Sequence, residues 1–336
     1  LGSENVMVMV NGILKNSLEL KSLKTEDVEK VELITNPSSE YNSEYTSIIN
    51  IILKKKERYG LTLDLTLNGY TNNIYNFSNA KITYGFGKLI INGSYQLFLR
   101  KSKEDIKEHY YNNDLTSEYR SAEYDIKRRK QLGHYFNYGF DYIINANNLV
   151  SFVGNYNYYM QEIPSILYGT SYNSSILTQE IQSLKTSKFD DKGYNYSIFY
   201  SHNFKKELQK INLLANYYYA DMFSENYTDN ETNNLNGDTS YYYISSLLHN
   251  KKESVLLETD YNHPFNKTSN LKLGYSFYKR EFNNSVENNG SLENLNYTDH
   301  QQNVYLNYQK EWKNLSFATG LRYENLLITI NDSIDN

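Results

Sequence analysis

The sequence predicts an all-β fold: an antiparallel up-and-down transmembrane β-barrel preceded by a small α+β piece over residues 1–56. Three observations carry that expectation. From residue 57 onward apolar and polar residues alternate with period two, the mark of a sheet with one apolar face and one wet face. The connections alternate between tight turns and long polar stretches. The chain holds 36 Tyr against 1 Trp and 3 Pro. Tyr favours strands and joins an apolar ring to a polar tip, which suits a boundary between lipid and water.

The alternation can be followed strand by strand. Leu61, Leu63, Leu65 and Leu67 share one face, as do Leu89, Ile91, Tyr95, Leu97 and Leu99. Leu132, Phe136, Tyr138, Phe140 and Tyr142 repeat the pattern. So do Ile211, Leu213, Ala215, Tyr217 and Tyr219, then Leu271, Leu273, Tyr275 and Phe277, then Leu315, Phe317, Leu321 and Tyr323. The opposite faces carry Asp64, Asn137, Asp141, Glu258, Asp260, Lys272, Arg322 and Glu324. Roughly eleven strands result, many near the ~10 residues that cross a bilayer at a tilt. They fall at 59–70, 74–86, 88–102, 121–144, 149–163, 191–204, 210–225, 251–264, 270–283, 300–312 and 315–330.

Gly87-Lys88, Ala146-Asn147-Asn148, Lys206-Glu207, Asn266-Lys267-Thr268-Ser269 and Lys313-Asn314 read as tight turns. Long polar loops are expected at 103–120, 164–190, 226–250 and 284–299. Short turns on the periplasmic side and long loops outside are the pattern of an outer-membrane barrel. A soluble sandwich has no reason to enforce it, and its strands average only ~5–6 residues.

Composition narrows the function classes. With 34 Lys+Arg against 39 Asp+Glu, net −5, the chain lacks the basic surplus of a general nucleic-acid binder. Zero Cys excludes disulfides and thiolate metal sites. A mean hydropathy of −0.70 excludes a bundle of membrane helices. It does not exclude a barrel, where only alternate residues meet lipid. No nucleophile elbow, phosphate loop or paired-carboxylate motif stands out, so neither enzyme activity nor a cofactor is expected. Asp229-Asn230-Glu231-Thr232-Asn233 weakly suggests a calcium loop, but Asn234 stands where the required Gly belongs. The six His are scattered without metal-ligand spacing.

Residues 1–56 have a different texture. Val6–Val10 is a short apolar strand and Asn11-Gly12 a turn signal. Thr25–Lys30 reads as one short helix with Thr25 as N-cap, followed by a strand at Val31–Thr35 and a break at Asn36-Pro37-Ser38-Ser39. Ile48–Leu53 is an apolar strand that runs into Lys54-Lys55-Lys56. This order, carried by Val8–Gly12, Asp27–Pro37 and Ile48–Lys55, resembles the end of the plug domain of TonB-dependent outer-membrane receptors. It looks most like the branch common in Bacteroidota, whose barrels form an outer-membrane β-barrel family. Where that family carries glycines before the Ile-Asn-Ile strand, this chain has Glu44-Tyr45-Thr46-Ser47.

The resemblance implies residues 1–56 as the C-terminal part of a plug, and 57–336 as the N-terminal half of a barrel of about 22 strands with a filled lumen. Both chain ends are then expected to be cuts in a longer protein. The implied activity is TonB-dependent uptake of a scarce solute: a ferric siderophore, cobalamin, peptide or glycan. The implied partners are a TonB-type energy-coupling protein, reached through a segment outside this chain, and outer-membrane lipid. A non-transporting barrel for adhesion or surface presentation is the alternative.

Candidate site residues follow from that frame. Tyr156, Tyr158 and Tyr159, and Tyr217, Tyr218 and Tyr219, are expected to form an aromatic girdle at the membrane interface. Tyr241, Tyr242 and Tyr243 fall in an expected loop, where they could face a ligand. A basic collar at the outer strand ends comprises Arg100, Lys101, Lys103, Lys127, Arg128, Arg129, Lys130, Lys251, Lys252, Lys279 and Arg280. Within it Lys127, Arg128, Arg129 and Lys130 are the candidates for contact with lipopolysaccharide phosphates. Asp64, Glu258, Asp260, Arg322 and Glu324 are expected in the lumen, gripping a plug or lining a path.

Overall fold

The computed structural model describes residues 6–10, 13–14, 25, 28–34, 47–53, 60–70, 74–111, 118–173 and 176–335. They form two sheets. The first has four strands: β1 (Val6–Val10), β2 (Ile13–Leu14), β3 (Val28–Ile34) and β4 (Ser47–Leu53), in the order β2-β1-β4-β3. β1 runs parallel to β4, while β2 pairs antiparallel with β1 and β3 antiparallel with β4. The run of isoleucines in β4 explains its central place, since a strand covered on both sides reads as continuously apolar. Ile48 is fully buried there beside Met9 and Val10.

One expectation fails in this sheet. Val28–Lys30 belong to β3 and not to a helix, with Val28 opposite Leu53 and Lys30 opposite Ile52. A helix of six residues is too short to hold itself. Pairing with β4 instead engages six of the seven β3 residues, with a register shift at Glu29. No α-helix occurs among the described residues. The expected Asn11-Gly12 turn lies outside them, and the flanking Val10 and Ile13 pair antiparallel.

The second sheet has eleven strands that pair strictly with their sequence neighbours. They are β5 (Gly60–Tyr70), β6 (Ile74–Phe86), β7 (Leu89–Tyr111), β8 (Glu118–Asn145), β9 (Asn148–Asn173), β10 (Ile176–Asn203), β11 (Lys210–Asn234), β12 (Thr239–Asn266), β13 (Ser269–Asn288), β14 (Ser291–Glu311) and β15 (Ser316–Asp335). Every pairing is antiparallel, so the expected up-and-down meander and its strand count are both present.

Among the described residues the expected long loops are largely replaced by strand. β8, β10 and β12 each run for 28 residues, and the polar stretches are the outer halves of strands. At ~3.3 Å per residue and a tilt near 40°, such a strand rises about 70 Å, against an apolar band of about 25 Å. Most of each long hairpin therefore stands clear of the bilayer. Among the described residues the β11–β12 and β13–β14 tips are short. Asn289 and Gly290, at φ 48° and 89°, form the turn between β13 and β14. That geometry is what an Asn-Gly pair provides between two twisted strands.

Candidate functional site

Register fixes which side chains share a face, because directly opposed residues project to the same side. One row crosses seven strands as Tyr84, Ile91, Phe140, Phe152, Ile198, Ala215 and Leu257. Leu61, Leu63, Leu65 and Leu67 extend this face on β5, with Leu63 68% exposed. A monomeric soluble protein rarely leaves so continuous an apolar face in water. It is the surface that meets lipid.

The next rows outward are aromatic. Tyr95 lies 4.7 Å from Phe136 and Phe136 6.2 Å from Tyr156 between ring centroids. Tyr194 sits 4.9 Å from Tyr219 and 6.0 Å from Tyr217. Of the expected girdle clusters, Tyr156, Tyr158, Tyr217 and Tyr219 lie on the lipid face, while Tyr159 and Tyr218 point the other way. Adjacent strand residues alternate, so a run of tyrosines cannot lie wholly in one girdle. Tyr194 and Tyr196 were missed from sequence because they stand singly. Only the register reveals them opposite Tyr219 and Tyr217.

Beyond the girdle the same face becomes charged. Lys130 pairs with Glu162 at 3.0 Å, Lys188 with Glu225 at 3.0 Å, and Lys192 with Asp221 at 3.2 Å. His249 Nε2 lies 2.8 Å from Asp221, and Lys279 Nζ 2.5 Å from Glu281. The collar is thus split by the pleat. Lys130 faces outward and Arg129 inward, whereas the side chains of Lys127 and Arg128 lie outside the described residues. Arg280 also faces inward, bonded to Asp299 at 2.6 Å.

The inward face is polar, as expected. Asn137, Asn155 and Asn195 stand in one row, and Asn216 donates to Asn195 at 2.6 Å and to Ser197 at 2.7 Å. The expected lumen charges project here. Asp260, Gly274, Tyr305 and Arg322 form one row, and Glu258, Ser276, Asn303 and Glu324 the adjacent one. Tyr305 donates its hydroxyl to Asp260, and Arg322 pairs with Glu324 at 2.5 Å. Tyr305 is only 6% exposed, because its ring fills the space above Gly274 where any Cβ would stand. Asp64 occupies the same face on β5, opposite Lys81.

The outer ribbon of β11 and β12 carries the third tyrosine cluster. Tyr241, Tyr242 and Tyr243 are strand residues of β12 and not loop residues. Tyr243 stacks on Tyr227 at 6.1 Å, and Tyr241 is 73% exposed. Tyr227 donates to Glu225 at 2.5 Å, and this bond to a carboxylate pushes its pKa up to about 12. Glu225 is held below its ordinary value by the bonds from Tyr227 and Lys188. Asp229 and Asn230 project to opposite faces of β11, so the segment does not wrap an ion as a calcium loop does. Among the described residues no group of three His, Asp or Glu could hold a metal.

Residues 202–336 match the outer membrane protein beta-barrel family. Among solved structures, the siderophore receptor PirA from Pseudomonas aeruginosa aligns over 98% of this chain and 92% of its own. Its identity is 11% and its TM-score 0.21, a likeness too slight to argue from. No curated protein matches. The family match over that part and the two-faced antiparallel wall agree on the fold, an antiparallel outer-membrane β-barrel wall, and on residence in the outer membrane.

Proposed function

We propose that this wall belongs to an outer-membrane receptor that takes up a scarce solute with energy passed from a TonB-type protein. The observation that carries the reading is the pairing of two unlike sheets in one chain. β5–β15 form a pure meander with a charged inner face. β1–β4 precede it with a parallel pair at their centre, which no meander contains. A separate folded piece ahead of a wet-faced wall is the arrangement of a barrel whose lumen is filled, and a filled lumen calls for active opening. The solute class stays open among ferric siderophore, cobalamin, peptide and glycan. The exposed Tyr241 and Tyr243 on the outer ribbon are the first contacts we assign to it.

The height of the ribbons favours a second reading, adhesion or surface presentation without transport. One experiment separates the two. The full-length gene is deleted, and growth is followed under iron, cobalamin, peptide and glycan limitation, with deletion of the TonB-type gene alongside. Uptake predicts a growth defect in at least one medium, reproduced by loss of the TonB-type gene. Normal growth in all four media with impaired surface attachment refutes uptake in favour of adhesion.

The lipopolysaccharide phosphate contact is assigned to Lys127, Arg128, Arg129 and Lys130, of which Lys130 stands on the lipid-side face paired with Glu162. K130E should weaken co-purification of lipopolysaccharide with the full-length protein. Unchanged co-purification removes the assignment.

A further inference from the structure

Four of the five short turns repeat one pattern, an aromatic ring followed within two residues by a lysine. Phe86-Gly87-Lys88 closes β6 to β7, and Phe204-Lys205-Lys206 closes β10 to β11. Phe265-Asn266-Lys267 closes β12 to β13, and Trp312-Lys313 closes β14 to β15. Only the turn between β8 and β9 departs, with Ile144 ahead of Asn145-Ala146-Asn147. The four aromatic rings are all exposed. Phe86 pairs with Leu89 on the lipid-facing side, Phe204 packs on His202, and Phe265 lies against His263 and Tyr308, residues of that same face. Four turns thus each set an exposed ring and a lysine one or two residues beyond it.

The cations at the two rims differ. On the outer side Lys130, Lys188, Lys192 and Lys279 are each held by a carboxylate. At the turns Lys88 donates to the Ile144 carbonyl at 2.9 Å, and Lys310 lies 6.0 Å from the Trp312 ring centroid. Among the described residues Lys205, Lys206, Lys267 and Lys313 have no ion pair. Glu207 and Glu311 are the carboxylates within these turns and their flanks, so the rim is left cationic. An open cleft between the second and third turns is lined by Asn147, His202, Phe204, Lys205, Lys206 and Gln209. Phe204 is fixed there edge-on to His202 at 4.5 Å.

We propose that this rim is a binding surface for anionic phospholipid of the inner leaflet, the turn lysines taking the phosphates and the rings packing at the glycerol level. Uncompensated lysines on flexible stems reach phosphate as point charges, and aromatic rings prefer that depth. The already paired outer lysines have far less charge to offer. The inference rests on the placement of the wall in the outer membrane and not on solute uptake, so either can fail alone.

The test uses the full-length protein in nanodiscs of phosphatidylethanolamine doped with phosphatidylglycerol carrying a photo-crosslinker near its headgroup. A parallel set carries the same group on phosphatidylcholine. Both rims meet the same lipid in such discs, so each disc is its own control. We expect phosphatidylglycerol crosslinks to concentrate in peptides holding 86–88, 204–206, 265–267 and 312–313, and to exceed those from phosphatidylcholine. In Lys205→Gln/Lys206→Gln the crosslinks at that turn should fall about fivefold per lysine at low salt. Equal labelling by the two lipids, or labelling centred on 188–192 and 221–225, overturns the proposal. The wild-type map decides this even if the variant does not insert.

Discussion

Leu213 and Leu214 are adjacent, identical and on opposite faces of the wall. Leu213 lies in the lipid-facing row with Tyr200, and Leu214 projects inward between Phe199 and Glu258. Replacing each in turn with Arg changes only the face that receives the charge. Leu213 stands three residues beyond the start of β11 at Lys210. At ~3.3 Å per residue and a ~40° tilt, that is about 8 Å into an apolar band of about 25 Å. An Arg costs ~2–4 kcal/mol at the midplane of such a band and little at its edges, so about 2 kcal/mol is expected here. That is roughly a 30-fold loss in the folding equilibrium constant. Leu214→Arg places a guanidinium in the wet lumen opposite Glu258, a cross-strand opposite-charge pair worth up to about 1 kcal/mol, which offsets part of the lost packing. Its net effect should stay within about 1 kcal/mol. The assay is denaturant unfolding of the full-length protein in lipid vesicles, read by the heat-sensitive gel shift of folded barrels. If Leu214→Arg proves as costly as Leu213→Arg, or costlier, the assignment of faces is wrong.

Gly274→Ala should cost ~2–4 kcal/mol, because the added Cβ displaces the Tyr305 ring and with it the bond to Asp260. In a Tyr305→Ala background the same change should cost under ~1 kcal/mol, and equal costs in the double-mutant cycle rule out the contact. Tyr194→Ala should lower stability by about 2 kcal/mol, through ring contacts with Tyr196, Tyr217 and Tyr219, while Tyr241→Ala stays within about 0.5 kcal/mol. Glu225→Gln should return the Tyr227 pKa from about 12 toward its ordinary 10.0, measured by ultraviolet titration against a Tyr227→Phe control. Glu225 is depressed when folded, so its contribution to ribbon order is present above its ordinary 4.5 and lost as pH falls below that. Faster hydrogen exchange over 183–190 and 224–231 at low pH should report the loss.

The sequence was legible where one face touches lipid and failed where both faces are wet. Within the bilayer the contrast between Leu63 and Asp64 is enforced by the solvent, so period two marks the strands and their phase. Past the girdle that constraint ends. Lys188 and Glu225 on one face, and Ser183 with Asn230 on the other, hold β10 to β11 by ion pair and hydrogen bond. Polar on both sides, such strands look like loops. The local signal that survives there is the turn, and Asn289-Gly290 marked a hairpin tip inside the supposed loop 284–299. The helix expected at Thr25–Lys30 failed for a related reason. Its propensity is local, while the partner that makes Val28–Ile34 a strand, β4, begins only at Ser47.

The candidate site shows the same division. That Asp260, Arg322 and Glu324 are lumen residues followed from parity alone. That Asp260 and Arg322 share a row with Tyr305, above a glycine that admits the ring, needed the register of four strands. The collar is divided by the same pleat. Lys127–Lys130 looked like one basic cluster because sequence proximity ignores the pleat, which sends Arg129 inward and Lys130 outward. A charged run on a strand is two half-clusters on two surfaces, and only the half that shares a face with the lipid rows can meet the membrane. The turns escape this division, since a short turn exposes successive residues together. That is why ring and lysine at four of five turns can act on the same leaflet, while Lys130, Lys188, Lys192 and Lys279 on the outer side each sit against a carboxylate.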